Sequence, residues 1–359
     1  MSKVTYLLGA GASFGERAVD EKGAKRFVRG LPILSELKEA VDQLVPKNML
    51  YKIDDSVETA RHLGVKDVHQ YSHLVRALER LREMCASYPT IDTLARQLYL
   101  TKQPYITADG NSIYYNDLKS ILSIALLMMQ SHEMRDLRYD GFIASIINDK
   151  RQMPPMTILS WNYDAQFELA YSGYSTESRY IPHLWKELNV LNKTYPTEYD
   201  STKPFAMIKL NGTAFFTDIT SPVSIQGREV GGIRDCFFGE RWQNPYQYGA
   251  EYINSRHYTT LSYSWEKEEN VVLKNQVMQR IHDTELLIVI GYSFPYVNSD
   301  LDTFIIENMP RLQRIIIQDM NYTDVKERIE EMIPASKRIP VAFEHKTNLQ
   351  QFYIPNSFK

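Results

Sequence analysis

The sequence predicts an α/β protein built on a doubly wound parallel sheet of about six strands, and two observations carry that prediction. Six short runs, VTYLL (4–8), MTILS (156–160), FAMIKL (205–210), ELLIVI (285–290), RIIIQ (314–318) and IPVAF (339–343), are apolar almost throughout. That is the pattern of strands buried on both faces. Between most of them lie segments with apolar residues three and four apart, at 73–88, 118–137, 269–284 and 323–333, which is helical spacing. Strands alternating with helices specify a parallel sheet wrapped by helices.

The spacing between strands divides the chain. Roughly 150 residues, mostly helical in pattern, separate the first strand from the second, far more than a crossover needs. Residues 1–34 and 151–359 therefore read as one domain that carries the sheet, and 35–150 as a helical insertion, packed on the sheet or forming its own lobe. A second insertion, 172–285 around FAMIKL, reads as loop-rich, with many Tyr, Pro and Gly. EKGAKRFVRG (21–30) is a basic, Gly-containing stretch, read as a solvated connector in preference to a lid over an anion. No repeat or low-complexity tract is present.

Composition excludes several classes. The 359 residues are 43% hydrophobic and 24% charged, the balance of a globular protein without membrane spans. The net charge of −3 gives no general electrostatic reason to bind nucleic acid. Val4–Leu8 is too short for the apolar centre of a signal peptide, and Ile121–Met129 is too short to span a bilayer. Two cysteines, Cys85 and Cys236, suggest no disulfide framework and make only half of a four-cysteine zinc site. The expectation is a cytoplasmic protein without zinc or another metal. His69 and His73 have i,i+4 spacing, which a solvated helix face explains better than a metal. His183 and His257 fall in the loop-rich insertion.

The chemistry-bearing residues gather at the strand ends, where open α/β sheets bind ligands. Gly9-Ala10-Gly11-Ala12-Ser13-Phe14 follows the first strand, and its glycines permit a sharp turn with backbone amides free for a phosphate. Phe14 stands where the dinucleotide fingerprint has its third glycine. Asn162 and Asp164 follow the second strand; helix capping accounts for one of them more easily than both. Lys209-Leu210-Asn211-Gly212 ends the third, and Gly291, Ser293 and Asn298 follow the fourth. Gln318, Asp319 and Asn321 tip the fifth. Each has a local structural explanation, as a turn or a cap. Together they describe a nucleotide crevice.

The ordered set resembles the sirtuin-like proteins, specifically their bacterial NAD+-hydrolysing branch. GAG-x-S, N-x-D, K-L-x-G and I-G-Y-S-F occur in that order, as Gly9–Ser13, Asn162–Asp164, Lys209–Gly212 and Ile290–Phe294. Gly30-Leu31-Pro32 is similar to that family's step before its next helix, and Ile91-Asp92 resembles a weaker feature of the bacterial branch. The resemblance implies a Rossmann-like domain with a helical insertion. In that reading the Gly9–Phe14 turn holds the pyrophosphate, Asn162 contacts the nicotinamide ribose and positions water, and Asp164 binds the carboxamide. Gly291, Ser293, Asn298 and Asp319 lie along the adenosine half. The missing zinc module favours NAD+ hydrolysis over deacylation. Relatives of this kind destroy NAD+ in anti-phage defence, commonly as oligomers controlled by a partner such as an ATPase or nucleotide-sensing subunit encoded nearby.

One position departs from the family. Its K-L-H-G histidine is Asn211 here, and an amide cannot accept a proton near neutral pH. Loss of general-base help costs about 10²–10⁴ in rate. Three readings stand: an exchanged residue that traps bound NAD+, a chain that binds without cleaving, or a base supplied from elsewhere. The intact neighbouring motifs favour the first. The runner-up function is a catalytically silent nucleotide-binding regulatory subunit; a hydride-transferring dehydrogenase fits the fold but lacks the fingerprint.

Overall fold

The computed structural model describes residues 3–19, 21, 23, 25–45, 53–130, 135–175, 180–225, 228–233, 244–253, 258–266, 270–335 and 340–358. Its centre is a seven-stranded sheet of β1 (Val4–Leu8), β2 (Thr157–Ser160), β3 (Val190–Asn192), β4 (Ala206–Lys209), β5 (Leu286–Ile290), β6 (Arg314–Gln318) and β7 (Ala342–His345). The order across the sheet is β7-β6-β5-β1-β2-β4-β3, and every neighbouring pair is parallel. The chain fills one side of β1 first, with β4 returning between β2 and the edge strand β3, and then the other, which is a doubly wound, Rossmann-like sheet with its switch point between β1 and β5.

Five of the expected strands are present at their expected positions; the sixth, expected over 339–343, is found at Ala342–His345, and residue 339 lies outside the described residues. The seventh, β3, is three residues long, too short for a periodicity reading to separate from a loop.

Alternation along the strands sorts the core into two faces. Tyr6, Leu8, Ile158, Met207, Ile288, Ile290 and Ile316 point into one apolar cluster. Leu7, Leu159, Ile208, Leu287, Val289, Ile315 and Ile317 point into the other, as the period of two in a strand requires. The second face is covered by the helices Asn270–Ile281, Ser299–Glu307 and Tyr322–Met332. The first is covered by the insertion, whose helices Leu37–Leu44, Val68–Ser87, Ile91–Thr101, Tyr115–Met129 and Leu137–Ile146 place Leu74, Leu78, Leu81, Leu94, Leu122 and Phe142 in the sheet's own core. The insertion packs on the sheet.

Three regions differ from the sequence reading. Residues 172–285 are not mainly loop: they hold an antiparallel sheet of Gly212–Ile225, Arg228–Ile233 and Tyr258–Leu261, with the helices Ile181–Glu187 and Pro245–Ile253. The basic stretch is no simple connector, because Lys25–Arg29 pairs with Glu16–Val19 as a hairpin. The expected helix over 118–137 stops at Met129, and a separate helix begins at Leu137.

Among the described residues no helix is long and apolar enough to cross a membrane.

Candidate active site

Register sets the site. Leu8 pairs with Ser160 on one side and Ile290 on the other, Ser160 pairs with Lys209, and Ile290 with Gln318. The carboxyl ends of five strands therefore lie level. The residues just beyond them, Gly9, Trp161, Leu210, Gly291 and Asp319, form one rim.

At the switch point the glycines grip each other. Gly9 N–H donates to the Ile290 carbonyl at 3.0 Å and Gly11 N–H to the Gly291 carbonyl at 2.9 Å. A Cβ on Gly291, whose φ is +58°, would stand 2.3 Å from the Gly11 carbonyl carbon. One on Gly11 would stand 2.7 Å from the Gly291 Cα. Residues Ala10–Ser13 form a 3-10 turn in which Ala12 N–H donates to Gly9 and Phe14 N–H to Gly11. Four amides of the motif are thus already bonded, two across to Ile290 and Gly291 and two within it, and Ala10 is its exposed residue. Arg138 braces the turn from behind, donating to the Gly11 and Ala12 carbonyls at 3.0 and 3.2 Å while paired with Asp136 at 2.6 Å.

Ser13 joins the turn to the second strand's loop. Its hydroxyl accepts from Asn162 Nδ2 at 3.1 Å, lies 2.9 Å from the Tyr139 hydroxyl and bonds Asp164. Asp164 Oδ1 also accepts the Gln166 N–H at 3.0 Å. Burial raises the Asp164 carboxyl above the usual range, opposed by Lys209, Ser13 and the Gln166 amide. Lys209, at 1% exposure, donates to the Asp164 carbonyl at 2.6 Å and pairs with Glu168 at 3.0 Å. Asn211 is buried beside them: its Nδ2 donates to the Trp161 carbonyl at 3.4 Å, and its Oδ1 has no hydrogen-bond partner. The structure brings Ser13, Asn162 and Asp164 into direct contact and sets Asn211 one residue away across Trp161.

The residues expected at the adenosine half separate. Asn298 is a node of the core: it donates to the Tyr292 hydroxyl at 3.1 Å and accepts from Ser264 at 2.8 Å, and its side chain makes no capping bond to the helix it precedes. Tyr292 and Trp161 both donate to Asp302, at 2.8 and 3.1 Å, which burial holds well above the usual carboxyl range. Ser293 is exposed and its carbonyl accepts from Arg328 at 2.5 Å. Asp319 folds onto its own loop, accepting the Asn321 N–H at 2.8 Å.

A cleft of about 760 Å³ opens beside Phe14, bordered by Arg17, Arg138 and Phe352. Arg17 is held between the Phe14 and Phe27 rings, 4.1 and 4.2 Å from their centroids, and pairs with Glu36 at 3.1 Å. Arg17, Arg138, Tyr139 and Asp302 are the site-forming residues that motif reading passed over. Arg17 alone carried a local signal, its place in the basic hairpin directly after the turn.

Of the histidines, His69 and His73 lie exposed on the Val68–Ser87 helix, and His183 is exposed on Ile181–Glu187. His257 and Cys236 fall outside the described residues. No group of metal-ligating side chains occurs among the described residues.

No protein-family model matches the chain, and no curated protein matches it.

Proposed function

We propose that this chain is an NAD+ glycohydrolase of the sirtuin-like type, producing nicotinamide and ADP-ribose. What supports the reading is the hydrogen-bonded chain Asn162–Ser13–Asp164 at the carboxyl edge of a parallel sheet, with a partnerless buried amide oxygen on Asn211 beside it. The donor set suits the group. Asn162 and Asp164 can bind a ribose hydroxyl and a carboxamide. With four amides of the Gly9–Phe14 turn already bonded, the pyrophosphate relies on Ala10 and on the adjoining arginine-lined cleft.

Cleavage passes through a cation-like ribose, so the chain's task is to hold the carboxamide, exclude other poses and present a water. Asn211 makes turnover slower than a histidine there would allow. Incubation of the chain and its Asn211→His variant with NAD+, alone and with the product of a neighbouring gene, tests this. Faster nicotinamide release by the histidine form is expected. Failure of NAD+ to bind, with no effect of changing Asn162 or Asp164, would refute it. By the same reading the chain acts in the cytoplasm as an oligomeric, partner-controlled effector of anti-phage defence.

One observation favours a second reading, a catalytically silent nucleotide-binding subunit: Asn211 offers no proton acceptor. It predicts NAD+ binding without turnover even with histidine restored.

A further inference from the structure

Several buried polar atoms at one corner of the site lack partners. Asn211 Oδ1, Asp92 Oδ1 and Tyr263 Oη are each without a hydrogen bond. They come from the end of β4, the first turn of the Ile91–Thr101 helix and the stretch after Tyr258–Leu261. Backbone and ring contacts tie these segments together. Ser262 N–H donates to the Asn211 carbonyl at 2.9 Å; the Tyr263 ring meets Tyr163 edge-on at 6.0 Å and stacks on Trp265 at 4.4 Å. Asp92 lies in the first turn of the helix whose Arg96, one turn on, is 5.3 Å from the Trp265 ring. Burial first, and then the Asp92 charge, raises the Tyr163 and Tyr263 hydroxyls, and burial, Asp302 and Asp92 raise that of Tyr292. Tyr163 stands between Asn162 and Asp164, and Tyr292 follows Gly291. The insertion therefore delivers a carboxyl to the corner where the strand-end residues meet.

That carboxyl is not the cap of its helix. Asp92 is 8% exposed, yet the helix is capped by Thr90, which accepts the Thr93 N–H at 3.2 Å. The cations of this corner are engaged elsewhere: Lys119 pairs with Glu266 at 3.0 Å, and Arg96 lies 5.3 Å from the Trp265 ring. A buried carboxyl without a partner is costly unless it is protonated or meets a ligand. Burial pushes Asp92 up to about 7, where an acid exchanges protons at neutral pH.

We propose that Asp92 is a catalytic residue of this site, taking the proton that Asn211 cannot accept. The proposal rests on the NAD+-cleaving reading above. As the C1′–nicotinamide bond breaks, its electron pair returns to the ring nitrogen and neutralises it. Water forms the new bond to C1′ and gives its proton to the Asp92 carboxylate, which releases it to solvent. The products are nicotinamide, ADP-ribose and one proton.

The test compares NAD+ binding and nicotinamide release by the wild-type chain, Asp92→Asn and Asp92→Glu across pH 6–9, with and without the neighbouring gene's product. Asp92→Asn is expected to bind NAD+ within about threefold of wild type but release nicotinamide at least ~100-fold more slowly. It should also lose the acid limb of the profile, and Asp92→Glu should recover part of the rate. The groups facing Asp92 are the Tyr163, Tyr263 and Tyr292 hydroxyls, with Arg96, Lys119 and Glu266 beyond, and those hydroxyls titrate too high to supply that limb. Equal turnover by wild type and Asp92→Asn overturns the role of Asp92 and leaves the NAD+ reading standing. Loss of NAD+ binding in Asp92→Asn, with its thermal transition intact, replaces the catalytic role with a binding one. Wild type that binds NAD+ and releases no nicotinamide overturns the proposal and favours the silent subunit. Wild type that does not bind NAD+ overturns the NAD+ reading itself.

Discussion

Lys209 shows how a single residue ties the site to the fold. It is a fully buried cation whose charge is matched by Glu168, itself held by the Trp185 indole at 3.0 Å. Replacing Lys209 with Met would strand the Glu168 carboxylate in the core, a loss of about 3–5 kcal/mol. Urea denaturation measures it, and a change below about 1 kcal/mol would show that Glu168 finds another partner. Asp92 has the opposite sign. Its carboxyl is raised from 3.8 to about 7 in the folded chain, so the native state holds a proton that the unfolded state gives up. Its contribution is therefore fully present below about pH 4 and is lost as pH rises toward 7. Asp92→Asn should raise the melting temperature by several degrees at pH 8 and by little at pH 4, in calorimetry without nucleotide. A uniform shift at both pH values would mean that the carboxyl does not titrate in this window.

The turns after β1 and β5 act as one element. Read singly, Gly9, Gly11 and Gly291 are turn glycines; in the structure a Cβ on Gly9 or Gly11 would need space that Gly291 occupies, and one on Gly291 space that Gly11 occupies. Gly291→Ala adds a side chain at a positive φ against the Gly11 backbone, so a loss of about 2–4 kcal/mol is expected. NAD+ affinity should fall with it, because the rim no longer closes; chemical denaturation and a binding titration on the same sample check both. The same closeness limits what the motif does for an anion, since amides that hold two loops together are not all free for phosphate. A similar economy holds around Asp302, which receives Trp161 from one side of β1 and Tyr292 from the other.

Across the whole molecule, the 35–150 insertion and one face of the sheet share a continuous apolar core. Unfolding is therefore expected as one cooperative transition, with calorimetric and van't Hoff enthalpies equal. A chain lacking 35–150 should not fold, because the faces of Tyr6, Leu8, Ile158 and Ile288 would meet water. Two separate transitions, or a folded excised chain, would show that the insertion is a domain of its own.

The sheet, its parallel sense and the rim on which a ligand would sit are legible in the sequence. Those follow from local rules: a strand buried on both faces must be apolar throughout, and the turn after it must carry small or polar residues. It determined which residues stand at the strand ends, including Asn211 where a histidine belongs in the resemblance. It missed β3, which is three residues long, and the antiparallel sheet of 212–261, where Gly212–Ile225 pairs with Arg228–Ile233 beside it in sequence and with Tyr258–Leu261 further on. Tertiary structure alone decided which polar residues touch. Ser13, Asn162 and Asp164 converge, whereas Asn298 turns into the core and Asp319 onto its own loop. Tertiary structure also carried Arg138 beneath the first turn and Asp92 to the corner of Tyr163, Tyr263 and Tyr292. Such contacts join residues dozens to hundreds of positions apart, and only the packing of the insertion against the sheet brings them together.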